Sequence, residues 1–203
     1  MTSRLVLAGG IGLALLMAAS AAWAQQPTRI RGTIESVDGA TLTVKARDGA
    51  TLKVKLADNG TVRAVAKKSL ADIKAGDFVG VTGMPQPDGS QKALEVHIFP
   101  EAMRGTGEGH RPWDLQPTST MTNANVESTV ASTDGQVLMM KYKDGEKKIV
   151  VPPETPIVTY LPGSKDELKP GVIIFIAAAN KKDDGSFEAA AITVSRDGVK
   201  PPM

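Results

Sequence analysis

"RGTIESVDGATLTVKARDGATLKVKLADNG", residues 31–60, decides how this chain folds. Leu42, Val44 and Ala46 alternate with Thr43, Lys45 and Arg47, and Leu52, Val54 and Leu56 alternate with Lys53, Lys55 and Ala57. Successive side chains of a strand point to opposite faces, so this period-two pattern describes strands with one apolar and one solvated face. Asp38-Gly39 and Asp48-Gly49 stand between the runs. Aspartate bonds the turn backbone and glycine takes the positive φ that a tight turn needs, so the stretch predicts a meander of hairpins.

The same landmarks return further along. Asp38-Gly39 recurs as Asp134-Gly135, Asp48-Gly49 as Asp144-Gly145 and Asp88-Gly89 as Asp184-Gly185, each after 96 residues. "LADIKAGDFVGV" (70–81) aligns with "KDELKPGVIIFI" (165–176), and "ALEVHIF" (93–99) with "AAAITVS" (189–195). One shared Asp-Gly means little, but three at one interval with matched apolar runs between them predict a duplicated unit of about 70 residues. Each unit reads as three strands, a short helical link and two more strands. Ser69 caps the first link and Gly76 ends it. The third strand of the second unit needs one extra residue after Asp144-Gly145 to keep register, which suits a bulge.

Three strands, a short link and two strands is the order of the OB-type barrel, which removes exposed edges without disulfides. The expected architecture is all-β: two tandem OB-like small β-barrels, each with a short helical link, after an N-terminal signal peptide. The bounds are 1–24 for the signal peptide, 28–99 for the first barrel, 100–122 for a Gly/Pro-containing connector, 123–196 for the second barrel and 197–203 for a C-terminal tail.

The opening G-T-I-x-S-V-D-G (32–39), the L-A-D-I-K-A-G-D before the fourth strand (70–77) and the late Asp88-Gly89 followed by an apolar strand carry a resemblance. The framework resembles the exported bacterial modules grouped as domain of unknown function 5666. The second unit keeps the order but departs from the pattern at the equivalent of Gly32 and places Val172 where the first has Asp77. The resemblance implies an OB-like barrel in the cell envelope and brings no activity with it.

The first residues agree with export. Arg4 precedes an uncharged run from Leu5 to about Ala19, and Ala22-Trp23-Ala24 fits the small-residue pattern of a cleavage site. Cleavage there makes Gln25 the first mature residue and lowers the formal charge from +2 to +1, because Arg4 is the only charge removed. The expected address is periplasmic or secreted, with no transmembrane span in the mature chain. A near-neutral chain gives no electrostatic footing for nucleic acid. The chain has no cysteine, which excludes disulfides and thiolate chemistry.

No nucleophile elbow, zinc helix or phosphate loop occurs, and the aspartates of the Asp-Gly pairs have structural work to do in turns. The expectation is therefore a non-catalytic exported binding or scaffold protein of the envelope, whose partner is a protein or polymer there. Trp113, Tyr142 and Tyr160 are its candidate ligand or partner surface, since aromatic faces commonly serve OB-type binding. The alternative is a soluble periplasmic metal-binding protein. His97 and His110 flank the connector with Met103, Glu101 and Glu108 between them, and imidazole with thioether suits copper, imidazole with carboxylate zinc. Three prolines and three glycines in 97–117 favour an ordered strap anchored by Trp113.

Overall fold

The structure, a computed structural model, describes residues 27–133 and 135–201; the expected signal peptide, Asp134 and the last two residues of the tail lie outside them. Twelve strands form one continuous sheet. In chain order they are β1 (Thr28–Asp38), β2 (Thr41–Ala46), β3 (Thr51–Lys68), β4 (Phe78–Pro85), β5 (Gln91–Ile98), β6 (Gly109–Pro112), β7 (Thr120–Ser132), β8 (Gly135–Tyr142), β9 (Gly145–Val151), β10 (Ile157–Pro162), β11 (Ile173–Lys181) and β12 (Phe187–Val194).

The alternation around 31–60 is realised as expected. Leu42, Val44, Val54 and Leu56 are buried, while Lys45 and Lys55 are exposed. Asp48 Oδ1 accepts the N–H of Ala50 at 3.0 Å. Asp88 and Asp184 accept both the N–H and the hydroxyl of the serine two residues on, so the two late turns are built alike.

Strand pairing departs from one barrel per half. β1, β2 and β3 form a meander, β3 runs parallel to β12, β12 pairs with β11, and β11 returns to β1. The other cycle is β7, β8, β9, then β5, β4 and back to β7. Each is a closed five-stranded barrel that takes three strands from one half of the chain and two from the other. The domain bounds 28–99 and 123–196 are corrected accordingly: those spans are sequence units, and neither closes on itself.

The length of β3 supplies a physical reason. Its 18 residues extend about 60 Å at the usual rise per residue, well beyond the wall of one small barrel. The chain therefore leaves β3 far from the edge of β1, and β4 and β5 close the other meander. Single 3-10 turns at Leu70–Asp72 and Lys165–Glu167 stand where the short helical links were expected. The bulge expected after Gly145 is absent, because β8 and β9 pair without interruption from Gln136↔Val151 to Tyr142↔Gly145. Irregularities fall in β1 at Ile34/Ser36 and in β7 at Val126/Ser128 instead.

Three apolar layers result. One fills the first barrel and joins Ile34, Val44 and Val54 to Ile176, Ala189 and Ile192. One fills the second and joins Val79, Val81 and Val96 to Ala124, Leu138 and Ile149. The third lies between the barrels and contains Val65, Phe78, Phe99, Met121, Val158, Tyr160 and Phe175.

Candidate functional site

The barrels meet along β3 and β10. Arg63↔Pro162, Ala64↔Leu161, Val65↔Tyr160 and Ala66↔Thr159 make an antiparallel ladder, and β10 also runs parallel to β5. Val79 and Val81 of β4 face the second barrel's core, so Phe78, Gly80 and Thr82 face out of it, toward the seam. His97 of β5 and Phe99, just after it, join them there.

This layer holds a polar group that the sequence did not bring together. Glu95 and His97 are 1 % exposed and Thr82 is fully buried. Glu95 Oε1 accepts from the Thr82 hydroxyl at 3.3 Å and lies 3.4 Å from His97 Nδ1, while Glu95 Oε2 is buried without a partner. The imidazole packs edge-on to Phe99 and Tyr160, with centroids 4.4 and 5.5 Å away. Burial pushes the Tyr160 phenol above its usual range, and the nearby Glu95 carboxyl adds to the shift.

The candidate metal ligands are placed apart in role. His97 lies in the seam. His110 Nδ1 is hydrogen-bonded to Thr122 Oγ1 at 2.8 Å. Met103 packs against the apolar seam cluster. Glu101 accepts two bonds from Arg104, whose hydrogen bonds hold its carboxyl below the usual range. Glu108 accepts the N–H of Lys143 at 3.0 Å. Among the described residues no group of three or more His, Asp or Glu could hold a metal ion. Of the aromatic candidates, Tyr160 is buried in the seam and Tyr142 packs on the second barrel's core.

Trp113 pins the connector to the first barrel. The Arg29 guanidinium stacks 3.8 Å from its ring centroid and Arg111 lies at 5.6 Å. Asp114 then bonds Arg31 at 2.8 Å and pairs with Arg29 at 3.5 Å. Burial opposes ionisation of Asp114, but the Arg31 hydrogen bond and the charges of Arg31 and Arg29 outweigh it and lower its pKa. At the other end Arg104 reaches Asn125 and the Gly76 carbonyl. The segment between the barrels is thus an ordered strap, and β6 within it pairs with β7.

The strap carries a pH dependence. Burial, then the charges of Lys147 and Arg111, lowers the His110 pKa from 6.5. The unfolded chain therefore binds the proton more readily, and stability associated with His110 is present above 6.5 and lost as pH falls below it. Trp113 fluorescence, followed through thermal melts between about pH 7.5 and 5.5, should show a lower midpoint at the acid end. A His110→Gln variant should flatten that difference; an unchanged slope would place the proton elsewhere.

Two open grooves flank the β3–β10 ladder. One, of about 870 Å³, lies where β3 ends and β10 begins, with Leu70, Pro156, Ile157 and Val199 as apolar wall and Lys67, Lys68 and Lys200 beside Glu154 at its rim. The other, of about 560 Å³, lies at the opposite end of the ladder, with Val62, Met103 and Leu161 as wall and Arg63 and Lys165 nearby. The segment after β12 (198–200) closes the first, and the segment after β5 (100–103) closes the second. Lys67 and Lys68 are adjacent in the chain, but only the fold sets them beside an apolar groove.

Comparison with known families bears on the first unit. Residues 31–97 match the family described as "Domain of unknown function (DUF5666)". No curated protein matches the chain, and no solved structure does. The DUF5666 segment runs from β1 to His97 of β5, so its first three strands belong to one barrel and its last two to the other. Glu95 and His97 lie within it, whereas Met121, Tyr160 and Phe175 of the seam lie outside it. Among the described residues no helix is long and apolar enough to cross a membrane.

Proposed function

We propose that this protein is a non-catalytic exported binding or scaffold protein of the bacterial envelope, periplasmic or secreted, built from a duplicated OB-type unit. In this reading the two copies have exchanged their closing strand pairs. Both barrels follow the pairing order first, second, third, fifth, fourth, with the third and fifth strands parallel, in support of that origin. The observation that carries the binding reading is the pair of grooves at the two ends of one ladder, each with an apolar wall and cationic side chains beside it. Concave apolar surface with a few convergent polar groups is the usual form of a binding site.

Two measurements test it. Intact mass of material recovered from the cell envelope should correspond to a chain beginning at Gln25, and a species retaining residues 1–24 would overturn the export reading. A photo-crosslinking side chain at Leu161 or Val199, one in each groove, should capture the same envelope component. Val130, exposed at 58 %, is the control position on the far hairpin. Equal capture from all three positions would remove the grooves from the function.

A further inference from the structure

The first strand of the second barrel is covered on both sides. Beyond the β8 ladder, Thr120–Asn123 pair with β6, from Gly109↔Asn123 to Pro112↔Thr120. Thr28–Arg31 hold the corresponding place in the first barrel. Arg31 pairs with Phe175 as Asn123 pairs with Gly80, and Ile30 pairs with Ile176 as Thr122 pairs with Val81. Here the β2 ladder stops at Gly32↔Ala46, with one further bond from the Arg47 N–H to the Arg31 carbonyl at 2.8 Å. Among the described residues no strand continues along that side. A groove of about 480 Å³ takes its place, bounded by Arg29, Arg31, Arg47, Leu52, Phe187 and the strap at Asp114.

We propose that this edge of β1 accepts an extended peptide segment bearing acidic side chains, which adds along Thr28–Ile30, beyond the Arg47–Arg31 bond, on the edge that β6 covers in the other barrel. The precedent is internal: the same edge in the other barrel carries a strand of this chain. Strand addition draws its affinity from main-chain hydrogen bonds and its selectivity from alternate side chains, so the edge selects peptide over a polysaccharide. Charge selects the peptide. Arg29, Arg31 and Arg47 exceed Asp48 and Asp114 by one, and Arg29 Nε is buried without a hydrogen-bond partner. A second copy is the weaker occupant, because two β1 edges side by side would bring their arginines together.

The test uses the chain from residue 25, labelled with nitrogen-15, and a blocked peptide of about six residues alternating valine and glutamate. Expected are amide shifts confined to 28–31 and 46–48, and affinity weakened about tenfold by Arg47→Glu. Arg47 is exposed, so this variant should fold normally. The valine–lysine counterpart should not bind. Equal binding of the two peptides, shifts centred on the grooves beside the β3–β10 ladder, or no binding at all would overturn the proposal. So would a dimer, seen without peptide, whose interface protects the amides of 28–31, because a second copy would then hold the edge.

Discussion

Cutting the chain between Gly105 and Thr106 is expected to leave two pieces that do not fold alone and that fold when mixed. The N-terminal piece would keep β1–β5, and the C-terminal piece β6–β12. Every seam that closes a barrel then crosses the cut: β1 with β11, β3 with β12, β4 with β7 and β5 with β9. Alone, the N-terminal piece would expose Ile30, Ile34, Leu42, Val44, Val54 and Leu56, whose cover comes from Ile174, Ile176, Ala189 and Ile192. Full burial of one such side chain is worth about 1.5–3 kcal/mol. Uncovering half a dozen costs up to about 9–18 kcal/mol, as much as the roughly 5–15 kcal/mol that holds a domain folded. Circular dichroism and urea titration of each piece should show no cooperative transition, and an equimolar mixture should recover one. A monomeric piece ending at Gly105 that melts cooperatively would mean that β4 and β5 can close on their own meander, and the exchange would then carry little energy.

That expectation marks the boundary of what the sequence could reveal. Alternation is local, and it placed Leu42, Val44, Val54 and Leu56 in a core because those positions depend only on the pleat. Which meander β4 and β5 close is a long-range choice. The pairs β4–β5 and β11–β12 have similar apolar runs and near-identical turns at Asp88 and Asp184, so the pattern fits either partner equally. The deciding feature is the continuation of β3 to Lys68, and Asn59-Gly60, a pair that ordinarily marks a turn, obscures it. β10 is hidden for a similar reason: Pro153 and Pro156 precede, and Pro162 ends, a strand of only six residues.

The candidate site divides along the same line. Trp113 as anchor of an ordered connector was legible, because a large aromatic in a Gly/Pro-rich strap has few other ways to be useful. Arg29, which stacks on Trp113, and Arg31, which bonds the adjacent Asp114, come from the far end of the chain and carry no local signal. The sequence places His97 at the edge of the connector. Its burial against Phe99 and Tyr160 depends on Tyr160 arriving from the other half through β10.

The seam gives the second large effect, through Gly80. A Cβ built there would overlap His97 Cε1 and Nε2 and lie 2.8 Å from Asn123 Oδ1, all of them side-chain atoms. Gly80→Ala must therefore displace the imidazole from its place between Glu95 and the rings of Phe99 and Tyr160, and overpacking of this kind costs about 1–3 kcal/mol. His97→Ala should cost more, about 2–5 kcal/mol, because truncating a buried ring leaves a cavity. It also strips Glu95, 1 % exposed and already with one unpartnered oxygen, of its imidazole neighbour. Together the two changes should cost less than their sum, because removing the imidazole clears the space that the new methyl group enters. Urea titrations of the two single variants and the double variant measure this coupling directly. Strict additivity would mean that the imidazole does not lie over Gly80. A coupling of about 1 kcal/mol or more would identify the absent side chain of Gly80 as what lets a buried histidine join the two barrels.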